Sequence, residues 1–153
     1  MKTDYVVEND VARRRLEALL GAIDGQDLAR RLDNGLTVAA VLLHLAFWDD
    51  YGTALLGQWR ETGYTPTRSN FEAINSAVGH LASVVPVGSI SALVLDAADA
   101  VDRQIEALDP GLAAAVEAGG SGRVLHRAVH RTLHLDQIET ALATSGDERA
   151  GQA

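Results

Sequence analysis

Residues Ser89–Leu108 read SISALVLDAADAVDRQIEAL, and their spacing decides the fold class. Ile90, Val94, Ala97, Val101, Ile105 and Leu108 recur three and four apart, which lines them along one face of an α-helix. Asp96, Asp99 and Asp102 fall on the other side and read as a solvated face, as does the pair Asp49-Asp50. Asp109-Pro110-Gly111 closes this helix, and Leu112 to Ala118 forms a short helical piece. After the break Gly119-Gly120-Ser121-Gly122, Ser121 is placed to cap a last helix that runs to about Leu142. Toward the N-terminus, Ser69-Asn70-Phe71-Glu72 has the form of a capping box, so a helix is expected to follow and to stop before Pro86. Thr37 caps a long helix over about Val38 to Trp59, preceded by an Asn34-Gly35 turn and a short amphipathic piece near Asp27 to Leu32. A first helix from about Asp10 carries Leu16, Leu19, Leu20 and Ile23. Four longer helices with no period-two pattern predict an all-α chain, an up-and-down four-helix bundle with short additional helices. The bundle is expected over residues 1–143, with a flexible tail over 144–153.

Composition narrows the function. The 153 residues carry a formal charge of −8, which repels a phosphate backbone and argues against nucleic acid as a partner. There is no cysteine, so disulfides, thiolate zinc sites, iron–sulfur clusters and cysteine nucleophiles are all excluded. The N-terminus lacks a signal-peptide core, and the most apolar run, Val38 to Trp48, is too short to span a bilayer and carries His44. The expectation is a soluble cytoplasmic protein with a small-molecule substrate and no membrane partner.

The five histidines are His44, His80, His126, His130 and His134. The last three are spaced i, i+4 and i+8, which stacks them on one helix stripe about 6 Å apart along the axis. A pair at this spacing can grip one metal ion between neighbouring turns, and imidazole suits zinc, nickel, copper and iron. Spacing alone does not choose between His126/His130 and His130/His134. His126 lies in the first turn, nearer the bundle mouth, which favours the second pair and leaves His126 as the alternative ligand. Val129 and Leu133 flank the stripe, which suggests that it lies near the core. His44 sits on the apolar stripe of another helix with Val41, Trp48, Tyr51 and Leu55, where a facing helix can supply a third ligand. His80 reads as an ordinary surface or boundary residue.

The segment Gly35-Leu-Thr-Val-Ala-Ala-Val-Leu-Leu-His44-Leu-Ala-Phe-Trp-Asp49 and the segment His130-Arg-Thr-Leu-His134-Leu-Asp-Gln137-Ile-Glu139 resemble the DinB-like family, a group of metalloenzyme-like proteins. His44, His130, His134 and Gln137 match its pattern of one His in the second helix, then H-x-x-x-H with Gln three residues on. The resemblance covers nearly the whole chain. It implies a four-helix bundle, often assembled as a homodimer, in which three His hold a divalent metal, zinc or nickel first and iron among the others. It also implies likeness to thiol-dependent S-transferases that use bacillithiol or mycothiol, with a low-molecular-weight thiol as cosubstrate.

Three neutral His ligands leave an open position, the arrangement of a catalytic site. Where zinc proteases carry a Glu after the first His, this chain has Arg131, so that general base is missing. Arg123, Arg127 and Arg131 run beside the stripe, either paired with carboxylates of a neighbouring helix or facing an anionic substrate. Trp48 and Tyr51 are core aromatics that can also wall a pocket, and Gln137 is one turn from His134, within reach of its imidazole. The leading expectation is a metal-dependent transferase. A non-catalytic helical protein that binds a small molecule or metal, and a metal-assisted hydrolase or isomerase, are the alternatives.

Overall fold

The computed structural model describes the backbone of residues 3–150 and the side chains of residues 3–144. The described chain is helical, with α1 (Asp4–Ala22), α2 (Gly25–Leu28), α3 (Val38–Thr62), α4 (Phe71–Leu81), α5 (Ile90–Glu106), α6 (Pro110–Ala118) and α7 (Arg127–Ala150). Its nearest approach to β-structure among the described residues is one isolated bridge, Arg31 to Thr37. The last helix, expected to end near Leu142, runs to Ala150, so the backbone of residues 144–150 in the expected tail is helical, while the side chains after residue 144 lie outside the described ones.

The four long helices form the bundle. The pattern read from Ser89–Leu108 is its core: Ile90, Val94, Ala97, Val101 and Ile105 are all buried on α5. They meet α3 in two layers. Val38, Val41, Leu42 and Ala46 pack with Ile90, Val94 and Ala97, and Leu55, Leu56 and Trp59 pack with Val101, Ile105 and Leu108. Early thus meets early and late meets late, so α3 and α5 run parallel. Asn9 of α1 accepts from the Ala128 N–H of α7 and donates to the Leu125 carbonyl just before it, while Asp136 and Glu139 hold Arg15, so α1 and α7 also run parallel. The antiparallel pairs are α3 with α7 and α1 with α5. The directions are therefore up, down, down, up, and α4 is the long crossover that returns the chain to the end where α3 began. Each fully buried Leu or Ile side chain of this core contributes about 1.5–3 kcal/mol.

Several local readings need correction. The first helix starts at Asp4 rather than near Asp10, and Asp10 pairs with Arg13 and Arg14 instead of capping. The capping box at Ser69 is displaced by one residue: Asn70 accepts the Ala73 N–H, and the Ser69 hydroxyl meets Tyr51. Asp24, not Asp27, opens the short second helix, with a reciprocal capping box. Thr37 does cap α3 by accepting the Ala40 N–H. Ser121 makes no side-chain cap; its hydroxyl meets that of Tyr64, and α7 begins only at Arg127. Val129 and Leu133 point to solvent, at 69% and 54% exposure. The buried face of α7 is instead Arg127, Ala128, Arg131, Leu135 and Ile138, with an arginine at its centre. Among the described residues no helix is long and apolar enough to cross a membrane.

Candidate metal centre

His44, His130 and His134 converge where α3 and α7 cross the middle of the bundle. Antiparallel packing sets the second turn of α3 against two successive turns of α7, so one helix presents a single imidazole between the pair on the other. Ring centroids lie 5.0 Å apart for His44–His130, 4.9 Å for His44–His134 and 4.8 Å for His130–His134. One nitrogen of each ring lies within 4.8 Å of those of the others, and the Nε2 atoms of His44 and His130 are 3.0 Å apart. Two imidazoles on one tetrahedral zinc-sized cation, at 2.0–2.1 Å each, place their nitrogens roughly 3.3 Å apart. The donor set therefore fits a divalent cation. No other His, Asp or Glu among the described residues joins the three, which leaves at least one coordination position for water or substrate.

Electrostatics favour the neutral, ligating form. Burial pushes the His44 pKa down to about 4, assisted by the charges of His134 and Arg127. Burial and the Arg127 charge push His130 down to about 2. His134 is lowered by burial as well, with the Gln137 contact opposing. All three are unprotonated near neutral pH, as a metal site requires.

The surroundings divide into three groups. His134 donates its Nδ1–H to the Gln137 side-chain oxygen at 2.8 Å, which aims its Nε2 lone pair inward. Trp48 meets His44 edge-on at 6.3 Å, donates its Nε1–H to Asn75 of α4, and packs on Phe71 and Tyr51. A cleft of about 360 Å³ lies between α7 and the turn before α3, with Gln137, Leu133, Asp136, Leu32 and Asn34 on its walls; it meets the site's surroundings at Gln137, and none of the three histidines lines it.

Behind the imidazoles lies a network that contradicts the reading of Asp49 and Asp102 as solvated. Asp49 is 1% exposed; Arg127 donates to its Oδ1 at 2.7 Å, and Arg131 donates to its Oδ2 at 3.0 and 3.1 Å. Arg131 is fully buried and also donates to Asp102 and to the Asn9 and Ala98 carbonyls. Burial opposes its charge, but the Asp49 and Asp102 carboxylates outweigh that and hold its pKa above the ordinary value. Arg131 is thus a structural residue that faces away from the imidazoles. Arg127 is the one that touches the site, donating from Nη2 to His130 Nδ1 at 3.1 Å. A sequence signal for this exists: Arg127 and Arg131 each precede a site histidine by three residues. His126, the alternative ligand, is not part of the group. It bonds to Glu117 Oε1 at 2.6 Å and packs on Tyr5, a turn or more from the cluster. His80 is exposed in the last turn of α4. No family model, curated protein or solved structure matches the chain.

Proposed function

We propose that this protein is a divalent-metal-dependent enzyme of the DinB-like kind, which joins a low-molecular-weight thiol to a small electrophilic substrate. The observation that carries the reading is the convergence of three neutral imidazoles with no fourth protein ligand among the described residues. Zinc or nickel suits this all-nitrogen set, and iron is the next choice. A dication held there lowers the pKa of a thiol or water in its open position and so supplies a nucleophile at neutral pH.

The chain's own residues define the rest. With no cysteine, the sulfur nucleophile comes from a cosubstrate. The thiol gives up its proton, its sulfur bonds to the electrophilic carbon, and the leaving group departs with the bonding electron pair. His44, His130 and His134 hold the reacting centre, and Gln137 keeps His134 in the ligating tautomer. Trp48, packed on Phe71, gives His44 an apolar neighbour. Arg131, buried in its ion pairs, cannot serve as a proton acceptor, which separates this site from that of a peptide-cleaving zinc enzyme.

The test is to incubate the purified protein with low-molecular-weight thiols and alkylating electrophiles and to follow thiol consumption. Turnover should vanish on chelation, return on adding zinc or nickel, and be absent in His44→Ala. Turnover that survives chelation and the substitution contradicts the proposal. Hydrolysis or isomerisation without thiol, lost in the same variant, would assign the open position to water or substrate instead.

A further inference from the structure

Two histidines on neighbouring turns of α7 are oriented in opposite ways. His134 follows the usual rule for a metal ligand: its Nδ1–H donates to an acceptor, the Gln137 oxygen, and its Nε2 is a free lone pair. On His130 a donor occupies the place where an acceptor belongs. Arginine has five N–H donors and no acceptor, so Arg127 Nη2 at 3.1 Å requires a lone pair on His130 Nδ1. A neutral imidazole with a lone pair on Nδ1 carries its proton on Nε2. That atom faces His44 Nε2 at 3.0 Å, within hydrogen-bond distance. Arg127 is not free to wander. Its Nε is fixed on Asp49 at 2.7 Å, its Nη1 on the Arg123 carbonyl at 3.2 Å, and its side chain is 7% exposed.

We infer that Arg127, locked by Asp49, is a positioning residue that sets His130 as the Nε2–H tautomer bonded to His44, and that it must release Nδ1 before His130 can hold a cation through Nε2. The inference rests on the three-histidine metal reading for its second half only. On release, the Nε2 proton is lost to water and another is taken up on Nδ1, so the ring stays neutral and the Nε2 lone pair becomes available. Asp49 keeps its two bonds from Arg131 throughout, so the core pairing does not depend on Arg127. The Arg127–Asp49 pair therefore controls how readily the site takes up metal, and a partner that draws Arg127 away, such as a substrate carboxylate, would promote loading.

The test has two arms. The first records long-range proton–nitrogen correlations of ¹⁵N-labelled protein stripped by chelation. His130 should show the Nε2–H pattern in the parent and gain the Nδ1–H form in Arg127→Met, while His134 shows Nδ1–H in both. A parent in which His130 is Nδ1–H overturns the inference, whatever the variant does. The second arm titrates Co²⁺ alone into parent and Arg127→Met. The variant should bind about tenfold more tightly, the scale on which contacts behind a metal ligand act. Equal or weaker binding by a folded variant overturns the gating role. If neither protein binds Co²⁺ or Zn²⁺, the metal reading and the gating role fall together, and the tautomer assignment stands or falls on the first arm.

Discussion

At the scale of single residues, His134 and Gln137 make the cleanest unit. The Gln137 oxygen fixes the tautomer and ring plane of His134 from one turn away on the same helix. Gln137→Ala removes that contact at a side chain exposed on the cleft wall, so folding should be unaffected. Divalent-metal affinity should fall about 10–100-fold, read by competition titration against a chromophoric chelator. Unchanged affinity would mean that the packing of α7 alone aims His134. His126→Ala is the matching control. Its imidazole is engaged with Glu117, and its removal should leave metal content as in the parent.

At the scale of elements, α3 and α7 are joined by Asp49 reaching both Arg127 and Arg131. Asp49→Ala strands two buried guanidinium groups and should destabilise the fold by about 3–5 kcal/mol in denaturant unfolding. Asp50→Ala, one residue along and exposed, should stay within about 0.5 kcal/mol. Equal effects would contradict a buried clamp. This contrast also explains what the sequence could convey. The apolar spacing of α5 was readable because α5 buries one face only. Asp49 was not, because α3 is packed by α5, α7 and α4 and is buried nearly all round, so a one-stripe reading sends Asp49 to solvent. The α7 core was hidden for a related reason. Its centre is the charged Arg131, while apolar Val129 and Leu133 are exposed, so polarity pointed to the wrong face. The three site histidines were legible as a set because H-x-x-x-H needs only helical spacing, and the inward His44 only an apolar stripe. Arg127 stands one turn before His130 on the same helix, a spacing the sequence displays, but its lock on Asp49 depends on the approach of two distant helices, which local periodicity does not encode.

For the whole molecule, the buried histidines link stability to pH. The folded pKa values of His44, His130 and His134 lie below the ordinary value of about 6.5. Above that value neither state is protonated at these rings and they add no pH dependence. As pH falls through it toward the folded value of about 4 for His44, the unfolded chain takes up protons that the folded one refuses, and stability is lost. The Tm of chelated protein should therefore drop between about pH 7 and pH 5, and less steeply in His44→Ala; a parallel pair of profiles would contradict the linkage. The same protons compete with a bound cation, so metal should be released over the acidic range. The central claim, that one cation is gripped by imidazoles from both helices, is tested most directly by elemental analysis of untagged protein beside His44→Ala, His130→Ala and His134→Ala. The account predicts close to one zinc or nickel-type ion per parent chain and its loss from each variant, whereas a metal-free parent after reconstitution, or full occupancy in any of the three variants, would contradict it.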